Sequence, residues 1–265
     1  MNIASAFVTD ASLIRRPPPK RLRTLVGCFW ALPCTADTRI RSLPDGCSTL
    51  SVEVFGCQRP RSFITGPRLG PREIAPQPNT TLLGVRLRPG VLFALTHIPA
   101  ADLTDRREPL DAWRAVDAEE LEGGLAAASS YERQFDVLEG FVGKRLDDTP
   151  VDDRILRAVA LLERCEGRMK IDRVAERCEM STRHLDRLFR QWIGLRPKSF
   201  ARIMRFQASL ARLDPTASPD LAHMATGLGY FDQAHLSNEF AELSGSSPRR
   251  VAPERVSDFS KTQCE

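Results

Sequence analysis

The spacing of hydrophobic positions changes part-way along the chain. Short apolar runs broken by proline and glycine fill residues 21 to about 110. In one of them, Leu83, Val85 and Leu87 alternate with glycine or arginine, which is the pattern of a half-buried strand. Many short strands with turn residues between them are typical of a small barrel or sandwich, so we predict a β-rich, barrel-like N-terminal domain.

A helical period then replaces the strand pattern. Apolar side chains recur every three or four residues across 130–146, from Tyr131 and Phe135 to Leu146, which predicts an amphipathic helix. Its apolar face must be covered, either by the β-rich domain or by a second subunit. The polar run 147–150 ends in proline and marks the predicted domain boundary.

The C-terminal part of the chain predicts helices with short connections, arranged as two similar units. In the first unit a short helix begins at Ile171, and Ser181 caps a helix with an apolar back and a basic front. Pro197 opens a long linking helix, and Asp232 caps the corresponding helix of the second unit. A short helix, a tight turn and a second helix with a basic front form a helix-turn-helix, which reads DNA through the major groove.

Composition and charge narrow the class of protein. The 265 residues are 42% hydrophobic and 27% charged, which suits two ordinary soluble domains. No apolar run approaches the roughly 18 residues that cross a membrane, and no signal-peptide pattern is present, so we expect a cytoplasmic protein. Ser181–Arg212 holds eight basic residues against one acidic residue, a formal charge of +7. A nucleic-acid binder and a solvated helix face both fit that charge.

The two units resemble the DNA-binding half of the AraC/XylS transcription regulators. The resemblance lies in residues 171–190 and 229–240, followed by Gly245 and Pro248, and it covers roughly 152–252. It implies two recognition helices on one face of a DNA duplex. Arginine suits guanine, glutamine and asparagine suit adenine, and alanine suits the thymine methyl group. By this resemblance the residues that would contact DNA are Arg183, Asp186, Arg187, Arg190, Gln233, Ala234, His235 and Asn238.

The chain departs from the family pattern at three positions. The family often has arginine at the position of Asn238 and a basic residue at Ala241, whereas Leu213–Pro248 contains no lysine or arginine and has a formal charge of −5. The second unit should therefore bind through backbone amides, helix termini and neutral side chains. Glu179 stands where the family's first turn usually has glycine. If the backbone there is left-handed, a glutamate at this position costs roughly 1 kcal/mol relative to glycine.

Residues 21–146 are similar to a less common sensor domain found in some family members. The similarity rests on three short motifs, Pro44-Asp45-Gly46, Gly66-Pro67 and Gly84–Gly90. It implies a regulator that a small ligand controls. A purely dimerising or partner-binding N-terminal domain is the alternative.

The cysteines, one histidine and two tryptophans are further candidates for a functional role. Seven cysteines, an odd number, favour reduced and buried thiols over a disulfide framework, redox sensing or a metal site. Some bacterial methyl-transfer repair proteins join a four-cysteine zinc domain to a similar DNA-binding half, but this chain has no Cys-x-x-Cys pair. An alkyl-transfer repair regulator is therefore a weak third hypothesis. His97 is expected to be structural, and Trp30 and Trp113 are expected to pack in the core rather than line a pocket.

These observations predict an α+β protein with a β-rich, barrel-like domain followed by an all-α, homeodomain-like tandem helix-turn-helix domain. The predicted segments are a flexible lead-in at 1–20, the sensor domain at 21–148, the DNA-binding domain at 150–256 and a tail at 257–265. Expected partners are double-stranded promoter or operator DNA, RNA polymerase and an unidentified small effector. Homodimerisation is left open, and no membrane, catalytic activity, cofactor or metal is expected.

Overall fold

The computed structural model describes residues 6–8, 13–112, 117–213 and 219–251. A β-rich N-terminal region precedes a helical C-terminal region, which confirms the predicted fold class. Trp113, Cys264 and the predicted tail lie outside the described residues.

The described strands form two antiparallel sheets. Their bounds are β1 Ala6–Val8, β2 Ile14–Arg16, β3 Val26–Pro33, β4 Ile40–Ser42, β5 Ser48–Phe55, β6 Arg61–Thr65, β7 Arg72–Ile74, β8 Thr80–Leu87 and β9 Arg107–Pro109. The larger sheet has the order β2-β3-β8-β5-β6-β9, and the smaller has the order β1-β4-β7. Among the described strands neither sheet closes on itself, so the predicted barrel has the form of two open sheets.

An edge strand lies within the segment predicted as a flexible lead-in. Ile14–Arg16 pairs with β3, and the Arg16 guanidinium reaches the carboxylates of Asp136 at 2.6 Å and Glu139 at 3.1 Å. It also lies over the ring of Phe135, 5.4 Å from its centroid. No strand pattern is visible in this segment of the sequence, because the strand is held by ion pairs and ring contacts rather than by alternating apolar residues.

The helices follow in chain order. They are α1 Leu92–Thr96, α2 Ala118–Ala127, α3 Tyr131–Asp148, α4 Asp153–Arg164, α5 Ile171–Arg177, α6 Thr182–Trp192, α7 Pro197–Arg212, α8 Leu221–Gly227, α9 Gln233–Ser244 and α10 Pro248–Val251. The predicted amphipathic helix is α3. Its apolar face packs on α1, α2 and β3, so the chain's own N-terminal domain covers it. Among the described residues, no helix combines the length and the apolar character that a membrane crossing requires.

The helical region contains the two predicted helix-turn-helix units, α5–α6 and α8–α9, joined by α7. Both predicted caps are present: the Ser181 hydroxyl accepts from the His184 amide at 3.2 Å, and the Asp232 carboxylate accepts from the His235 amide at 2.7 Å. The linking helix α7 packs against both α6 and α9. The two recognition helices are therefore attached to one common support.

The two domains are packed together through a shared apolar core. The rings of Phe93 on α1 and Trp192 on α6 meet edge to face, with their centroids 4.8 Å apart. The amide of Gln207, a buried residue of α7, donates to the carbonyl oxygen of Pro44. The Thr104 hydroxyl donates to the Gly194 carbonyl, just beyond α6, at 2.7 Å. These three contacts anchor α6 and α7 to the N-terminal domain.

Candidate nucleic-acid interface and effector cavity

The first recognition helix, α6, presents a basic face to solvent. Leu185, Leu188, Phe189 and Trp192 are buried on its back, while Arg183, Arg187 and Arg190 are exposed and Asp186 is half-buried. Arg190 donates to Asp186 one helical turn earlier at 2.9 Å. An exposed pair of this kind contributes at most about 1 kcal/mol, so Arg190 can leave it for a phosphate.

The second recognition helix, α9, presents a neutral face. Gln233, Ala234, His235 and Asn238 are all exposed, whereas Leu236 and Phe240 are buried on its back. All eight residues expected to contact DNA therefore lie on α6 or α9, and seven of them are exposed. Their contacts with DNA stay a prediction.

Several arginines of the +7 segment are directed at acidic residues of the protein rather than at solvent. Glu239 on α9 is buried, with its side chain 5% exposed, and it receives Arg202 at 2.9 Å and Arg205 at 3.4 Å from α7. Arg202 also reaches Glu242 at 2.7 Å, and Arg212 pairs with Glu166 at 2.8 Å. The sequence count therefore overstates both the positive charge of α7 and the negative charge of α9.

Four basic residues of the segment have no acidic partner among the described residues. They are Arg183, Arg187, Arg196 and Lys198, and all four are exposed. Two of them lie on α6 and the other two flank the start of α7. Positive charge available to DNA is therefore concentrated on the first unit, as the +7 segment predicted. Only four of its eight basic residues supply that charge.

The turns of the two units share a backbone conformation but not a residue type. Glu179 has a φ of 56° and Gly229, at the equivalent place in the second unit, has a φ of 73°. The left-handed conformation anticipated at Glu179 is confirmed. A side chain is disfavoured there because its Cβ crowds the backbone.

Replacing Glu179 by glycine is expected to raise the free energy of unfolding by up to about 1 kcal/mol, since it removes this strain. The measurement is urea unfolding of the full chain. The matched control is Gly229→Ala, which should lower the free energy by a similar amount, because a Cβ there would meet only ordinary contacts. A Glu179→Gly variant less stable than the parent would show that the Glu179 side chain makes a compensating interaction.

A cavity of about 460 Å³ lies between the two sheets of the N-terminal domain. Its apolar wall includes Trp30, Ile40, Ile74 and Leu82. Trp30, expected only as a core residue, is buried and also lines this cavity. A side chain at Gly84 would lie within 2.3 Å of the Trp30 ring, so the glycine allows the indole to lie flat on strand β8.

The polar wall of the cavity is rich in arginine. The lining arginines are Arg59, Arg61, Arg68, Arg72, Arg86 and Arg107. Arg86 pairs with Asp45 at 2.6 Å, and Arg107 pairs with Glu53 at 2.6 Å. Sequence reasoning missed this set, because the arginines are spread over four strands and two loops and show no common spacing.

The cysteines are not uniformly buried. Cys28, Cys34 and Cys178 are buried, as expected, and burial raises the pKa of the Cys28 thiol. Cys57 is exposed, so the expectation of a buried thiol is wrong there. Burial likewise raises the pKa of Cys47, which lines the cavity. Among the described residues no group of three or more His, Cys, Asp or Glu side chains could hold a metal ion. His97 ends α1 in a left-handed conformation and contacts the Thr149 hydroxyl at 3.4 Å.

One exposed aromatic residue was also missed. Phe231, in the turn that precedes α9, is 92% exposed. Phe231 lies within the segment 229–240 that carries the family resemblance, but no role was assigned to it, and nothing in the local pattern distinguishes it from a core residue. It extends the exposed surface at the start of the second recognition helix.

Two family models match the chain. A "Helix-turn-helix domain" matches residues 154–253, and a "Domain of unknown function (DUF6597)" matches residues 14–109. No curated protein matches the chain. Among solved structures, ToxT from Vibrio cholerae is 9% identical, with 94% of this chain and 98% of that chain covered and a TM-score of 0.43. Unsaturated fatty acid bound wild-type ToxT from Vibrio cholerae strain SCE256 is 11% identical, with 95% and 96% covered and a TM-score of 0.41.

The helix-turn-helix units and the matching family model define the class: the chain is a DNA-binding transcription regulator. The helix-turn-helix domain is of the AraC type and lies C-terminal to a β-rich domain, so the resemblance to the AraC/XylS regulators is confirmed.

Proposed function

We propose that this regulator binds a specific promoter or operator sequence through α6 and α9, under the control of a small effector in the N-terminal cavity. The main support for the proposal is that the loops lining the cavity are the same loops that contact the DNA-binding domain. RNA polymerase is a further proposed partner, because the weakly charged second unit would gain from an added contact. A second subunit could supply the same contact.

Two loops, β4–β5 and β6–β7, join the cavity to the DNA-binding domain. Asp45 lines the cavity, and the adjacent Gly46 lies so close to Phe200 on α7 that a Cβ would be 2.4 Å from the ring. Arg68 and Arg72 also line it. Their neighbours are in contact with the other domain, Pro67 at Gly194 beyond α6 and Pro71 at Gly245 beyond α9.

These loops provide a physical route for regulation. A ligand shifts an equilibrium only if it binds one conformation better than another. An effector that moves the cavity walls would also move the supports of α6, α7 and α9, and so change how the two recognition helices meet successive major-groove segments. The volume of about 460 Å³ is within the range of small-molecule sites, which favours an effector over a purely dimerising domain.

The direct test is selection of bound sequences from random DNA by the full-length protein, repeated with candidate effectors. Recovery of one motif whose affinity an effector changes would support the proposal. A motif with no effector response would favour the dimerising or partner-binding alternative. The absence of any motif would contradict sequence-specific binding.

Arg187→Ala tests base reading by the first unit. Arg187 is exposed in the middle of α6, one turn after Arg183 and without an acidic partner among the described residues. Loss of its bidentate contact should weaken binding to the selected sequence by about 1–3 kcal/mol and relax the preference at one base pair. The measurement is affinity for the selected sequence and for each single-base variant of it. Arg133→Ala, which removes an exposed arginine of α3, is the control and should bind as the parent does. Equal weakening on specific and random DNA would make Arg187 a phosphate contact only.

Asn238→Arg tests whether the second unit meets the duplex. Asn238 is exposed on α9. If α9 enters the groove, an arginine there should tighten binding and steepen the dependence of log affinity on log salt by about one contact, with a slope change of about 0.9. The measurement is affinity over a range of salt concentrations, with the neutral Asn238→Gln variant as control. An unchanged slope would mean that α9 does not approach the DNA at that position.

A further inference from the structure

The cavity in the N-terminal domain has more positive charge than its acidic groups can balance. Asp45 and Glu53, which line it, are each paired with one arginine, Arg86 and Arg107 respectively. Arg59 is engaged by Glu119 at 3.4 Å and Glu122 at 3.3 Å, outside the lining residues. The arginines without an acidic partner among the described residues are Arg61, Arg68 and Arg72.

Arg68 is the least satisfied of the three. Its Nε and Nη1 atoms are buried and have no hydrogen-bond partner in the described part of the chain. Burial lowers the pKa of Arg68, the charge of Arg72 lowers it further, and Asp105 opposes the shift. The Asp105 carboxylate is held by the amide of Leu69 at 2.9 Å and forms no ion pair with Arg68. Arg68 is half-buried, and a guanidinium whose buried Nε and Nη1 atoms have no acceptor is costly. It stays protonated at neutral pH, so a group with oxygen acceptors would be stabilised here.

The rest of the lining defines what such a group would be attached to. Trp30, Ile40, Ile74 and Leu82 form an apolar wall in the same cavity. An inorganic anion would satisfy the arginines and leave this wall without a partner, whereas an organic acid would cover both surfaces. Guanidinium groups bind the two oxygens of a carboxylate or a similar oxyanion in parallel, which adds geometric selectivity.

We propose that the effector is a small organic anion, an oxyanion group on an apolar body, and that Arg68 and Arg72 bind its anionic group. This assignment rests on the proposed function, since it names the chemical class of the effector in the same cavity. Arg72 is on β7 of the smaller sheet, and Arg68 is in the loop that follows β6 of the larger sheet. An anion bound by both would therefore lie where the chain passes from the larger sheet to the smaller, next to the Pro67 and Pro71 contacts with the DNA-binding domain.

The test uses two fluorescent probes with the same ring system. Anilinonaphthalene sulfonate is an organic anion, and phenylnaphthylamine has the same rings without the sulfonate. Each is titrated into the full-length protein. The sulfonate should bind at least about ten-fold more tightly than the neutral probe, since hydrogen bonds to a charged group are stronger than those between neutral groups. Arg68→Gln and Arg72→Gln should each remove most of that difference and leave the affinity for the neutral probe unchanged.

Two control variants locate the binding. Arg133→Gln removes an exposed arginine of α3, and Phe231→Ser removes the exposed aromatic residue, so both should bind the probes as the parent does. Circular dichroism and thermal unfolding establish that the Arg68 and Arg72 variants are folded; if one is not, the other carries the test. Equal affinities for the two probes, no sulfonate binding, or sulfonate binding that both variants retain would each overturn the assignment.

DNA affinity measured with each probe bound separates this inference from the proposed function. If the neutral probe alone changes DNA affinity, effector control stands and the anion assignment is wrong. If the sulfonate binds through Arg68 and Arg72 while DNA affinity is unchanged by either probe, the anion site stands and control through this cavity is wrong.

Discussion

Replacing Glu239 by alanine is expected to lower the free energy of unfolding by about 3 kcal/mol. The Glu239 side chain is 5% exposed and is the acceptor for two arginines of α7, Arg202 at 2.9 Å and Arg205 at 3.4 Å. Removing one partner of a buried ion pair leaves the other charge uncompensated, which costs about 3–5 kcal/mol. We expect the lower end of that range, because each arginine retains another acceptor. Arg202 still donates to the Glu242 carboxylate, and Arg205 still donates to the Gly167 carbonyl oxygen.

Glu242→Ala is the matched control for this prediction. Glu242 receives the same Arg202 at 2.7 Å, but its side chain is 64% exposed, so its loss should cost less than about 1 kcal/mol. Both variants are compared with the parent by urea unfolding of the full chain. Equal costs for the two variants would mean that the burial of Glu239 does not decide its contribution.

The same cluster has a consequence for DNA recognition. Glu239 is on the second recognition helix, and its partners are on the helix that also supports the first. The ion pairs therefore fix α9 against α7 and, through α7, the spacing between the two units. Glu239→Ala should accordingly weaken specific DNA binding more than random DNA binding at temperatures where the variant is still folded.

The DNA-binding domain could be predicted from the sequence because its signals are local. Apolar spacing, the caps Ser181 and Asp232 and the turn at Glu179 each involve residues within a few positions of one another. The exposed faces of α6 and α9 follow from that periodicity. The pairing of Arg202 and Arg205 with Glu239 does not, since more than thirty residues separate them and only the packing of α7 on α9 brings them together.

The N-terminal domain could be predicted only in outline. The motifs Pro44-Asp45-Gly46, Gly66-Pro67 and Gly84–Gly90 suggested a sensor domain, but not why those residues are needed. In the structure each includes a place where the chain comes close to the helical region: Gly46 at Phe200, Pro67 at Gly194 and Gly90 at Ile155. Such contacts depend on how the two domains dock, which periodicity along one chain segment does not encode. Because the predicted sensor and DNA-binding domains share one core, the stability of each depends on the other.

The contact between Pro67 and Gly194 leads to a second large effect: Gly194→Ala should lower the free energy of unfolding by about 2–4 kcal/mol. Gly194 has a φ of 86°, and a side chain in that region costs about 1 kcal/mol. Its Cβ would also lie 2.5 Å from the backbone oxygen of Ala100 and 2.8 Å from Pro67 Cγ. Overpacking of this kind adds about 1–3 kcal/mol, because a backbone oxygen cannot move aside as a flexible side chain can.

Gly229→Ala separates the two contributions to this effect. Gly229 has a φ of 73°, and its added Cβ would come no closer than 3.5 Å to its neighbours, so that variant reports backbone strain alone. The difference between the two variants in urea unfolding measures the overlap with the N-terminal domain. We expect Gly194→Ala to have the greater cost and also to alter the DNA affinity of the full chain, because the displaced segment follows α6 directly and holds the 2.7 Å hydrogen bond from Thr104. If both variants lose the same free energy of unfolding, the domain interface accommodates the added methyl group without a further loss of stability. If the DNA affinity of Gly194→Ala is also unchanged, the contact at Gly194 does not support the first recognition helix.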